Sequence, residues 1–341
     1  MQTLRIPLTR AEEVKRFLIG NSLLDKGYRF DKDDKFLYLP ITEEADLKKR
    51  FPETRIMRHA LQPSKKRPGL RQLLRKRLTA EEFARLKTAF DMVGDIAIME
   101  IDPALRKKEK VIAKALLETT PTIKTVLRKA EKHTGVFRTQ KLRWLAGRKT
   151  KEALYRENGI RLKLDVEKVY FSPRLSTERK RIAQLIRKGE DVLVMFSGCG
   201  PYPCVLAKNT DAKSITGIEI NPVAHAYASE NIKLNKLINV KVIEGDVRKV
   251  MPKMRTRYDR ILMPLPMGAG EFLDLALGAA KKGATVHFYD FLKEENIPAA
   301  AVKKIRDACK KTGRRCIIKG HVKCGQFGPG IFRVCVDFSV Q

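Results

Sequence analysis

The chain has 341 residues, with 71 Lys or Arg against 39 Asp or Glu and a formal charge of +32 at neutral pH. The length exceeds one typical domain and is ample to bury a sizeable core, while the charge favours a polyanionic partner over neutral metabolites, with nucleic acid ahead of an anionic membrane surface. No apolar run reaches the ~18–20 residues of a membrane span and the opening MQTLRIPLTRAEEVKR lacks the apolar core of a secretion signal, so a soluble, cytoplasmic protein with no membrane partner is expected.

Residues 1–62 read as a small α/β unit, with a capped amphipathic helix near Thr9 to Leu18 and an alternating strand at Lys35 to Leu39. Alone it has little core. From Arg55 to Ala80 there are nine basic residues and no acidic one. Within that run PSKKRPG, with Lys65, Lys66 and Arg67 between Pro63 and Gly69, suggests a basic linker. Residues 70–165 carry a predicted helix at Thr79 to Asp91, an apolar strand at Asp95 to Ile101, a basic helix at Asp102 to Glu118, and strand-like pieces to Leu164. The lone Trp144 is expected in the core. Divided near residue 170, the chain is basic on both sides, at +18 and +14, so neither half reads as a plain small-molecule domain.

Residues 166–341 are more regular. Apolar strands at Asp191 to Phe196, Ser214 to Ile220, Val240 to Glu244, Asp259 to Met263 and Ala284 to Tyr289 alternate with helical segments. That alternation predicts a doubly wound, mostly parallel sheet. The last two stretches, Cys316 to Val322 and Ile331 to Phe338, have only glycine-rich sequence between them and read as an antiparallel closing pair. Such an ending suits a class I, Rossmann-like methyltransferase better than a dehydrogenase, preceded by two small α+β domains. All six cysteines lie in this half without a CxxC pair or a matching His cluster, so neither a zinc site nor a disulfide framework is suggested, and reduced, mostly buried thiols are expected.

The first of these strands runs through Phe196 into Ser197-Gly198-Cys199-Gly200-Pro201, after which Tyr202 to Lys208 can form a helix. Glycines let the backbone approach a ligand, and a helix terminus presents free N–H groups. Glu219 ends the next strand, where a carboxylate can accept from both hydroxyls of a ribose. Asp246 follows the third strand, within reach of an adenine amine. A lone GxG is an ordinary turn as often as a site; three elements at successive strand ends, in order, point to a nucleoside-bearing cofactor. The dinucleotide fingerprint would place a third glycine where Pro203 stands, so a cofactor without phosphates fits better. The helix after Asn221-Pro222 carries polar residues, Glu230 to Asn235, that read as a solvated face.

Several blocks resemble the archaeal and eukaryotic tRNA (guanine-37-N1)-methyltransferases over essentially the whole chain: VYFSPRLSTER at Val169 to Arg179, GVFR at Gly135 to Arg138 with WLAG at Trp144 to Gly147, GDIAIMEI at Gly94 to Ile101, MFSGCGPYP at Met195 to Pro203, and MPLP at Met263 to Pro266. FSPRLSTER is the most specific of them. The resemblance implies S-adenosylmethionine as cofactor, held by Phe196, Ser197, Gly198, Gly200, Pro201, Glu219, Ile220, Asp246, Val247 and Pro264. It implies tRNA as partner, probed through its anticodon loop by Tyr170, Arg174, Arg179, Pro264 and Pro266, and a monomeric enzyme.

The implied reaction is methyl transfer to N(1) of the guanosine beside the anticodon. Guanine N(1) holds its proton at neutral pH, so a general base must remove it while a cation steadies the charge gathered on O(6). By resemblance Glu178 is that base and Arg138 that cation. Each has a plainer reading: Glu178 as a carboxylate at a helix N-terminus, Arg138 as a phosphate contact. Two positions depart from some relatives: Pro264 replaces an Asn and Val194 an Asp, which removes two polar side chains from the site. A related transferase that moves the aminocarboxypropyl group of the same cofactor onto a tricyclic guanosine, a bifunctional methylase, and a noncatalytic RNA-binding protein on this fold are the alternatives. The basic stretches Arg55 to Arg77 and Lys124 to Lys151 are the expected grip on the tRNA body.

Overall fold

The computed structural model describes residues 1–341 except Ser22, Lys26, 43–46, 64–68, 132–133 and Pro266, together with the side chain of Lys48. Most of the PSKKRPG segment, including Lys65, Lys66 and Arg67, and the predicted site residue Pro266 therefore lie outside the described residues. The chain forms two compact units, Met1–Gln72 and Leu73–Gln341.

The first unit is an antiparallel sheet whose strands run in the order Asp31–Lys32, Phe36–Pro40, Gln2–Pro7, Arg55–Arg58. Its core joins Leu4, Ile6 and Leu39 to Val14 and Leu18 of the helix Ala11–Gly20. Val14 and Leu18 are one turn apart and so share a face. The expected cap is not made. Residues Leu8–Arg10 form a 3₁₀ turn, and the helix starts behind Arg10 with no side-chain cap bond, although Glu12 and Glu13 sit favourably in its first turn.

In the second unit, the predicted helix from Thr79 is cut short. Thr79 does form a capping box: its side chain accepts from Glu82 N at 3.2 Å, and Glu82 accepts from Thr79 N at 2.9 Å. The helix spans only Ala80–Ala84, and Phe90–Val93 is a strand paired with Ile96–Met99. The cause is the turn at Gly94, whose φ is +60° and where a Cβ would lie 2.6 Å from Leu154 O. Only glycine fits there, and the chain folds back into a hairpin. With Thr125–Lys129 and Leu142–Gly147 these strands make a four-stranded sheet backed by the helix Glu109–Thr119. Trp144 is not core: it is 37% exposed and donates its indole N–H to Arg148 O at 3.1 Å.

The seven-stranded sheet carries the strands β1 (Asp191–Met195), β2 (Ser214–Glu219), β3 (Val240–Glu244), β4 (Tyr258–Met263), β5 (Ala280–Lys293), β6 (Cys316–Gly328) and β7 (Ile331–Val340). Their order is β3-β2-β1-β4-β5-β7-β6, with the first five parallel and β7 antiparallel between β5 and β6. This is the expected class I methyltransferase architecture. Val192, Leu193, Val194 and Met195 of β1 are all fully buried, as a central parallel strand covered on both faces requires. The edge strand β6 alternates instead, presenting Lys319, His321 and Lys323 to solvent, which discourages pairing with another chain.

Ile96, Leu127 and Leu142 of the four-stranded sheet share one apolar core with Val192, Val205 and Leu262. The helix Pro222–Leu234 corrects the solvated-face reading. Asn231 is fully buried, accepts from Lys163 N at 2.7 Å, and donates to Lys163 O and Cys199 O at 3.0 Å each. It ties the hairpin strand Ile160–Asp165 to the glycine loop after β1. The six cysteines are unpaired thiols, four of them buried.

Candidate active site

A cavity of about 180 Å³ opens at the carboxyl ends of β1 to β4, the crevice where open α/β sheets bind ligands. The loop after β1 is wound tightly. Phe196, Gly198 and Gly200 have φ of +58°, +58° and +84°, and Gly200 N donates to Ser197 O at 3.0 Å. Gly200 is positioned against Ala228, whose Cβ would lie 3.4 Å from an added Cβ. Phe196, Ser197, Gly198 and Pro201 line the cavity, while Gly200 stands behind the wall at the N-cap of the helix Pro201–Asn209. The Oγ of Ser197 is buried with no hydrogen-bond partner among the described residues. Gly217 in β2 makes room for it, since a Cβ there would come within 2.9 Å of that oxygen.

Glu219 ends β2 in the wall, with Ile220 beside it. Its Oε2 accepts from Gly198 N at 2.7 Å and its Oε1 from Asn221 N at 2.8 Å. Burial pushes its pKa above the ordinary carboxylate value, while the N–H groups of Asn221, Gly198 and Ile220 oppose that rise. Each oxygen retains a lone pair for a further donor. Asp246 and Val247 line the cavity past β3, where Asp246 caps the turn Val247–Val250 by accepting from Arg248 N at 2.8 Å. An aromatic flank completes this side. Phe272 meets Phe196 edge-on at 5.0 Å and carries the Arg248 guanidinium 4.2 Å above its ring. Nothing in the pattern around Phe272 marks it in the sequence, because it reaches the cavity only through the fold of the segment after β4.

The cavity is also lined by Arg138, Tyr170, Arg179 and Pro264. Arg138 sits at the end of the turn Gly135–Arg138 with φ +52°, and its guanidinium donates to Met267 O. Burial lowers its pKa, the nearby charge of Arg333 adds to that, and Tyr170 opposes it. Arg179 is paired with Glu157 in a contact whose two side chains are each 2% exposed, and also donates to Ser172 O at 3.2 Å. Arg174 does not line the cavity; it bonds Asp91 at 2.7 Å.

Glu178 lies in the helix Ser176–Leu185, 5% exposed and outside the cavity wall. Its carboxylate accepts from Arg181 at 2.7 and 2.8 Å and from Tyr289 Oη at 2.7 Å. Tyr289 Oη lies 3.0 Å from Tyr202 Oη, and Tyr202 lines the cavity. The network continues behind Glu178. Arg181 also bonds Asp337 at 2.8 Å, and Asp337 bonds His287 Nδ1 at 2.6 Å. Arg260, a donor only, lies 2.8 Å from His287 Nε2, so His287 accepts there and gives its Nδ1 proton to Asp337. Burial lowers the pKa of His287, consistent with a neutral ring. Burial alone would raise the carboxyl of Asp337, but His287 and Arg181 hold it well below the usual range.

Residues 153–318 match the family model for the TRM5/TYW2 methyltransferase domain, residues 70–150 that for the TYW2 N-terminal domain, and residues 3–49 that for the tRNA methyltransferase 5 N-terminal domain. The tRNA (guanine(37)-N(1))-methyltransferase Trm5b of Pyrococcus abyssi is 37% identical to this chain, over 99% of it and 98% of the relative. This chain belongs to the TRM5/TYW2 methyltransferase family. The tRNA(Phe) (4-demethylwyosine(37)-C(7)) aminocarboxypropyltransferase of Methanocaldococcus jannaschii is 30% identical over 74% of this chain and 98% of that one. The solved complex of aTrm5 with tRNALeu superposes with a TM-score of 0.72 at 30% identity, covering 100% of both chains. Within the family frame the cavity is composite: Glu219 and Asp246 come from the methyltransferase domain, Arg138 from the segment matched by the TYW2 N-terminal domain. Among the described residues no helix is long and apolar enough to cross a membrane.

Proposed function

We propose that this family member transfers a methyl group from S-adenosylmethionine to N(1) of guanosine at tRNA position 37. The observation that carries the reading is a single cavity lined both by Glu219 and Asp246, suited to a ribose and an adenine amine, and by Arg138 and Tyr170 from outside the sheet. The residues fit the cofactor. Glu219 has one lone pair left on each oxygen, and the buried Ser197 Oγ lacks a partner among the described residues. When bound, S-adenosylmethionine supplies an electrophilic methyl group on sulfur.

The protein's own residues then manage a proton and a charge. Arg138, steadied by Met267 O, faces O(6) and stabilises the charge that gathers there. Glu178 is the base. An ionised carboxylate only accepts hydrogen bonds, so Tyr289 donates to Glu178 and Tyr202 donates to Tyr289, leaving the Tyr202 oxygen able to accept. The N(1) proton passes to Tyr202 as Tyr202 releases its own to Tyr289 and Tyr289 releases its own to Glu178. Burial raises the pKa of both phenols, so neither ionises ahead of the transfer, and the proton comes to rest on Glu178. With Pro264 in place of a side-chain amide, backbone carbonyls do more of the orienting of the guanine ring. Methyl transfer is then a matter of in-line placement.

Glu178→Gln should keep cofactor and tRNA affinity near those of the unsubstituted protein and lose about 10²- to 10⁴-fold in single-turnover methylation at neutral pH. Tyr289→Phe, which interrupts the hydroxyl chain, should lose a similar share. Full activity in Glu178→Gln would remove the base from this scheme. A second reading, action on a tricyclic guanosine derivative at the same position, is favoured by the match of residues 70–150 to the TYW2 N-terminal domain.

A further inference from the structure

Tyr170 connects the cavity to a second feature outside it. Arg333 of β7 donates to Tyr170 Oη at 2.9 Å, and its guanidinium lies 5.2 Å from the centre of the Phe291 ring. Phe291 in turn packs on Phe327, ring centres 4.2 Å apart and planes 30° apart. Phe327 belongs to the glycine-rich end of β6 and is 61% exposed. Arg333 Nε is buried without a hydrogen-bond partner among the described residues. A flat, exposed ring supported by a second ring that itself lies under a guanidinium is an unfavourable surface to leave in water.

One class of ligand answers that need: a nucleobase stacks its face on the exposed ring, and the nearby guanidinium charge favours its anionic backbone. A second copy of this chain could also cover Phe327, but the Arg333 guanidinium lies beside the ring pair, on a molecule of charge +32. Like charges oppose that contact and favour a polyanion. We propose that Phe327, backed by Phe291 and Arg333, stacks the tRNA base next to the target guanosine and so holds the target in the cavity. The inference rests on the tRNA methylation reading above.

The test uses the full chain and tRNA transcripts carrying 2-aminopurine on either side of the target. With the unsubstituted protein, fluorescence at one of the two positions should be quenched on binding. Phe327→Ala should abolish that quench and raise KM for tRNA about tenfold, one stacked base's worth, with kcat, cofactor affinity and melting temperature little changed. Phe327→Trp should retain both. An abasic site at the quenched position should raise KM for the unsubstituted protein but add nothing in Phe327→Ala. Unchanged KM and quench in Phe327→Ala overturn the stacking role, as does a variant whose only defect is weaker self-association. If the unsubstituted protein methylates no tRNA, the functional reading itself falls and takes this inference with it.

Discussion

Glu219 has two duties at once, and they set a pH signature. Its carboxylate fastens the glycine loop through Gly198 and Asn221 while facing the cavity. Burial raises its pKa, so as pH falls it takes up a proton above the ordinary glutamate value of about 4.3. In the proposed reading Glu219 accepts from the ribose hydroxyls in its ionised form, so cofactor affinity by calorimetry should weaken with acidification from above that value. Glu219→Gln should bind more weakly at neutral pH and show a flatter acid limb; an unaltered acid limb would assign the effect elsewhere. At this scale the cavity wall formed by Gly198, Glu219 and Asp246 was legible, because glycine, glutamate and aspartate follow successive apolar strands at fixed places. The setting of Glu178, held by Arg181 and Tyr289, was not. Tyr289 is 111 residues away in sequence, and no local pattern records so distant a partner. The same holds for Arg174 and its bond to Asp91.

Elements were read well where apolar periodicity was strong and poorly where a single contact decided the outcome. The five parallel strands and the antiparallel pair follow directly from buried runs such as Asp191–Met195. The helix from Thr79 failed because Gly94 imposes a turn whose reason, the approach of Leu154 O, lies in another strand. Asn231 failed in the opposite direction, a polar residue taken for surface that closes three hydrogen bonds inside. Asn231→Ala should leave Lys163 N and O and Cys199 O without their side-chain partner. The expected cost is about 1–3 kcal/mol in denaturant unfolding, with a parallel loss of cofactor affinity because the glycine loop loses its brace. A change under about 0.5 kcal/mol would mean that water or neighbouring groups replace the amide.

For the whole molecule, the +32 charge predicts that tRNA affinity is largely electrostatic. Log affinity should fall linearly with log salt at a slope of about −0.9 per phosphate contacted in duplex regions, so six contacts would cost roughly 10³-fold between 50 and 200 mM. Neutralising basic residues in Arg55–Arg77 or Lys124–Lys151 should reduce that slope and leave cofactor binding alone; a flat salt response would contradict a phosphate grip. The fold class was legible at this scale from the order of strands and helices. The composite cavity, with Arg138 from before the sheet, was legible only through resemblance. The most direct measurement is to incubate the protein with labelled S-adenosylmethionine and unmodified tRNA transcripts bearing guanosine or another base at position 37, then identify the nucleoside product by mass and chromatography. Guanosine 37 should gain one methyl group at N(1), with no product when another base stands there. An aminocarboxypropyl adduct, a methyl on another atom, or modification at another position would contradict the account.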